Sequence, residues 1–186
     1  MLCCKNVLYG RTYSLGRICL GGSFFISLFF PSDDNLDCPT VFKKCKMIEQ
    51  GFYIKDNTPE PWWVMVFYNV KTEDDYQKVY GSLLAIGETL TKVQDAIKML
   101  HNKNTGYISS DLNNNTSVII ISNATSFDEM FNTVTHEIKH LTEHISTCFG
   151  YNSKGEKAAY IQGEIGQKMY KAVALTICPK CNCIHN

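Results

Sequence analysis

The chain has no surplus of charge of either sign. Its 186 residues hold 18 Lys and Arg against 18 Asp and Glu. A general nucleic-acid binder needs a basic excess to neutralise phosphates, so that class is excluded, as is a polybasic membrane-surface protein. No apolar run is long enough to cross a bilayer. The longest, Ile18 to Phe30, has 13 residues, whereas a spanning helix needs about 20. No membrane span is therefore expected. Five prolines and 12 glycines are ordinary, and neither a repeat nor a low-complexity linker divides the chain. With 45% hydrophobic residues it is too apolar to be disordered, and it is long enough to bury a core without a staple.

Cysteine is not scarce. Nine occur, at 3, 4, 19, 38, 45, 148, 178, 181 and 183, and an odd number cannot pair off within one chain. Mostly free thiols in a reducing, cytoplasmic setting are expected. The run Ile18 to Phe30 has the length of a signal-peptide core, and secretion is the competing reading. However, no small-residue cleavage site follows it, and its Phe and Ile density fits a buried strand.

Strand patterns fall at Val7 to Leu15, Ser23 to Phe30, Gly51 to Lys55 and Trp62 to Val70, separated by Pro-, Asp- and Asn-rich turns. From Asp74 the pattern becomes helical. Leu90, Val93, Ala96, Ile97 and Leu100 share one helix face. A polar loop carrying Asn113, Asn114 and Asn115 leads to a strand over Ser117 to Ser122. Ser126 and Glu129 form a capping box, and Phe127, Met130, Phe131, Val134, Ile138, Leu141 and Ile145 recur at helical spacing up to a stop near Gly150. A second capping box, Ser153 with Glu156, opens a helix that reaches about Leu175. The fold class expected is α+β: a twisted N-terminal sheet packed on helices that end in this pair, as one domain over 1–175 with a Cys-rich tail over 176–186.

The first helix of the pair carries His136-Glu137-Ile138-Lys139-His140. Residues four apart stack on one helix face, so both imidazoles reach one metal ion, and the intervening glutamate flanks the water bound there. Zinc acidifies that water, and Glu137 takes its proton as general base. Composition alone yields on the order of 0.006 such matches in a chain of this make-up. Both histidines lie opposite the apolar stripe, where a cleft has room to form. The competing reading is a solvated helix face that carries two histidines by chance.

A catalytic zinc ordinarily has three protein ligands and an open position. Glu156 is the expected third, at the head of the next helix, with small Ala159 and Gly163 on its face to allow close approach. Its competing role is the capping box alone. Glu164 and then Glu143 are the further choices. His144, one turn past His140, is a candidate oxyanion donor or a surface histidine, and Tyr151 and Tyr160 are oxyanion candidates by position. His101 is expected at a helix C-terminus.

H-E-x-x-H on one helix, with Glu156-Lys-Ala-Ala-Tyr160 opening the next, resembles the zincin metallopeptidases of the gluzincin type, in their minimal single-domain form. The resemblance covers about Val118 to Tyr170. It implies Zn2+ held by His136, His140 and Glu156, Glu137 as general base, and a peptide or protein substrate. It also implies that Ser117 to Ser122 is the edge strand against which an extended substrate pairs. The function implied is zinc-dependent hydrolysis of a peptide or amide bond. The alternative is a non-catalytic zinc-binding protein of zincin architecture that serves as an interaction module.

The tail holds Cys178, Cys181, Cys183 and His185, a candidate second metal site. Cys178-Pro-Lys-Cys181 followed by Asn182 resembles half of a zinc knuckle. A redox-active pair and an ordinary thiol-rich tail are the competing readings.

Overall fold

A computed structural model describes residues 46–176. The strands expected at Val7 to Leu15 and Ser23 to Phe30, the run Ile18 to Phe30, and Cys178, Cys181, Cys183 and His185 lie outside the described residues.

The elements run β1 (Ile48–Ile54), β2 (Trp62–Val70), α1 (Glu73–Ala85), α2 (Leu90–Leu100), β3 (Gly106–Asp111), β4 (Thr116–Ser122), α3 (Phe127–Cys148) and α4 (Glu156–Val173). The four strands form one mixed sheet in the order β1-β2-β4-β3. β2 and β4 are parallel, and the other two pairings are antiparallel. The chain is α+β, with helices on both faces of the sheet.

Strand alternation explains the two layers. Val64, Val66 and Tyr68 of β2, with Ile119 and Ile121 of β4, pack on Val134, Ile138, Leu141 and Ile145 of α3 and on Ile161 and Ile165 of α4. Phe67, Val118 and Ile120 point the other way, onto Tyr76, Val79, Val93 and Leu100 of α1 and α2. A strand buried on both faces reads as an unbroken apolar run, which is why β2 and β4 stand out in the sequence. No helix among the described residues is long and apolar enough to cross a membrane.

Two expectations about element boundaries change. Residues 106–111, read as part of a polar loop, form β3. Its hairpin to β4 is closed by Asp111, whose carboxylate accepts from the backbone N–H of Asn113 and Asn114, and by Asn115 at φ 49°. Ser153 does not cap α4. Asn152 closes a turn instead, its carbonyl accepting from Gly155 and its side chain from Lys154, so the helix starts two residues later on Gly155 and no side-chain cap bond forms. The start of α3 is as expected: Ser126 accepts from the N–H of Glu129. Its end is a Schellman turn on Gly150 at φ 68°, with Tyr151 donating to Ser146 O and Gly150 to Thr147 O.

Candidate functional site

The resemblance places the substrate-pairing edge at Ser117 to Ser122, and the structure overturns this. β4 is flanked by β2 and β3, so its backbone is already paired. The edge beside α3 is β3. Ser122 N–H donates to Thr105 O, which makes 105 and 122 a hydrogen-bonded pair. By the alternation of an antiparallel ladder, residues 107, 109 and 111 then bond to β4, while Gly106, Ile108 and Ser110 turn their N–H and C=O groups to the open edge.

β3 runs alongside α3 in the same direction. Thr133 donates to Asn104 O, Gly106 abuts Glu137, and Ser110 Oγ stands 2.8 Å from His144 Nδ1. A groove of about 490 Å³ follows this edge, walled by α2 on one side and by His144 on the other, with Tyr107 to Ser110 between them.

On α3, His136 Nε2 and His140 Nε2 stand 2.9 Å apart. His140 offers its other nitrogen, Nδ1, to Glu143 Oε2 at 3.5 Å. A carboxylate beside the outer nitrogen is the usual support of a metal-binding imidazole, and the inner nitrogen here lies within hydrogen-bond distance of His136. Glu137 lies between the two histidines in sequence and is buried, 4% exposed. Burial lifts its carboxyl to about 6, and the neighbouring His140 offsets this in part. Burial also holds the His144 imidazolium below its ordinary range; His140 adds to that shift and Glu143 opposes it.

The other expected ligands are not brought to the pair. Helix α4 meets α3 through Tyr170, which stacks on Phe131 at 5.0 Å and shares a hydrogen bond with Thr135 at 3.2 Å. Around α3, His136 and His140 lie about 140° and 180° from Phe131, so they face away from α4. The antiparallel register that sets Thr135 beside Tyr170 puts Glu156 level with the C-terminal end of α3, roughly 14 Å of helix rise beyond His140. There Glu156 accepts from Tyr160 Oη. Glu164 is buried and already engaged: its carboxylate accepts from the N–H of Lys55 and Asp56 and from Asn57 Nδ2, fastening the β1–β2 connection to α4. Among the described residues no three His, Cys, Asp or Glu side chains form a group able to hold a metal ion. What the structure brings together is two imidazoles, a carboxylate beside the outer nitrogen of one of them and a buried glutamate, without a third protein ligand among the described residues.

Tyr151 packs on Phe149 beneath Lys157, close to the α3–α4 turn, and Tyr160 is exposed on α4. Only His144 of the three oxyanion candidates lines the groove. His101 caps α2, with Nδ1 at 2.8 Å from Ile97 O, and stacks on Tyr76.

No protein-family model, curated protein or solved structure matches the chain.

Proposed function

We propose that this chain is a zinc-dependent peptidase that hydrolyses an extended peptide laid along the open edge of β3. The observation that carries this reading is the placement of His136 Nε2 and His140 Nε2, 2.9 Å apart, beside a buried Glu137 that abuts the edge strand.

Zinc bound there would polarise the scissile carbonyl and acidify a water. The chain's own residues do the rest. His136 and His140 hold the ion, and Glu143 fixes the ring of His140 through Nδ1. The free N–H and C=O groups of Gly106, Ile108 and Ser110 add the substrate to the sheet as a further strand, which sets its register against α3. Glu137, uncharged more readily than an exposed glutamate, takes the proton of the attacking water and returns it to the leaving amine; a carboxyl near 6 suits both transfers at neutral pH. With Glu156 beyond reach of the pair in this arrangement, the proposed protein ligands among the described residues are the two histidines.

The test is hydrolysis of fluorescein-labelled casein by the zinc-loaded full chain. Cleavage that disappears in Glu137→Gln while bound zinc is retained supports the reading. Wild-type rates in Glu137→Gln would rule out Glu137 as the base.

A further inference from the structure

A row of polar side chains crosses the face of the sheet that packs on α3. Trp62 Nε1 donates to Ser117 Oγ at 2.8 Å, Ser117 Oγ stands 2.7 Å from Ser110 Oγ, and Ser110 Oγ stands 2.8 Å from His144 Nδ1. Trp62 and Ser117 are fully buried. Ser110 and Ser117 are direct partners across β3 and β4, so the sheet register fixes their contact.

The direction of the protons follows from the two ends. An indole N–H only donates, so Ser117 Oγ accepts from Trp62. Ser117 then passes its own proton to Ser110, and Ser110 passes its proton to His144 Nδ1. Every hydroxyl in the row is used. In the reverse direction Ser117 accepts twice, and its buried O–H has no described acceptor, which costs a hydrogen bond. The row therefore makes Nδ1 an acceptor and leaves the ring proton on Nε2.

His144 stands one turn beyond His140, on the same flank of α3 as Glu137 and two turns from it. Along the line of β3, Glu137 and His144 thus stand on either side of His140. We infer that His144, fixed as its Nε2–H form by Trp62, Ser117 and Ser110, is the hydrogen-bond donor to the oxygen of the scissile carbonyl. This rests on the peptidase reading. As water attacks, a C–O bond forms, its proton goes to Glu137, and the carbonyl π pair moves onto the oxygen. The Nε2–H bond stays intact and shortens its hydrogen bond as charge develops. A neutral donor suits this role because it keeps its proton. His144 is a catalytic residue in this scheme, and Ser110 and Ser117 are positioning residues.

The experiment has two readouts on the full chain. Long-range 1H–15N correlation at pH 7.5 reports the ring form of His144 whether or not zinc is present. Protonated Nε2 with bare Nδ1 is expected in the wild type, and a mixture of tautomers in Ser117→Ala. Protonated Nδ1 in the wild type overturns the inference. Steady-state hydrolysis of labelled casein by zinc-loaded protein is the second readout. His144→Ala is expected to lower kcat about 100-fold with KM within about twofold, and His144→Gln, whose amide also donates, to recover part of the loss. The Gln variant carries the test if the Ala variant does not fold. Unchanged kcat in both also overturns it. A wild type that holds zinc, shows the expected tautomer and cleaves nothing defeats the peptidase reading, and the carbonyl role falls with it.

Discussion

Gly106, the first residue of the edge strand, lies directly on the carboxyl group of Glu137: a Cβ built there would stand 2.6 Å from both Cγ and Oε1. The absence of a side chain at 106 is what lets β3 run close enough to α3 to cover the base and still leave its own outer edge open. The raised carboxyl of Glu137 follows from that burial.

Gly106→Ala should therefore push Glu137 aside. The overlap is with the carboxyl group itself, and relief requires rotating a buried side chain or displacing the strand. A loss of about 1–3 kcal/mol in urea unfolding is expected, as for other overpacked sites. A variant as stable as the wild type would mean that Glu137 moves freely.

Glu137 should make stability depend on pH in the metal-free protein. Its carboxyl sits near 6 when folded and near 4.5 in an exposed state. Between these values the unfolded chain releases the proton first, so stability falls as pH rises from about 4.5 to 6 and levels off above that. Glu137→Gln removes the dependence. Unfolding curves at pH 5 and pH 8 should show the variant gaining about 0.5–1 kcal/mol on the wild type, after allowance for solvent screening. An equal difference at both pH values would contradict the assigned burial.

Glu164 is expected to matter for stability and not for metal. Glu164→Ala strips three donors at residues 55–57 of their acceptor and should cost about 2–3 kcal/mol. Zinc content should be unchanged. Loss of an equivalent of zinc from a folded Glu164→Ala protein would make it a ligand after all.

Glu143→Ala tests the outer support of His140. Without the carboxylate at Nδ1 the ring is free to turn, and zinc affinity should fall about 10–100-fold in competition with a chelating dye. An unaltered affinity would show that the packing of α3 alone orients the ring.

Much of this arrangement was legible in the sequence because the relevant signals were local. The helix carrying His136 and His140 declared itself through its Ser126 cap and its apolar stripe, and β2 and α2 through their patterns. β3 left no such trace. It is an edge strand with mixed faces: Gly106, Ile108 and Ser110 look toward α3, and Tyr107, Ser109 and Asp111 look the other way. The residues that adapt it to a cleft are the ones that break its alternation. Its turn did carry a signal, since Asp111 followed by three asparagines is a hairpin closure.

The neighbour of Glu156 was illegible for a different reason. A helical wheel gives the direction of a side chain relative to its own helix, but not the flank on which the next helix docks. That choice was made by Phe131 and Tyr170, which draw α4 to the side of α3 opposite the histidines. Likewise, the row from Trp62 to His144 joins four separate segments and exists only once β2, β3 and β4 are in register.

The most direct test of the account is zinc content per chain, by elemental mass spectrometry, of native full-length protein purified without chelator or histidine tag. The His136→Ala/His140→Ala variant serves as its partner. The account predicts about one equivalent less zinc in the variant than in the wild type, and any zinc that remains would then belong to Cys178, Cys181, Cys183 and His185. Equal zinc in both proteins would contradict it, and would reduce the pair to two histidines on an exposed helix face.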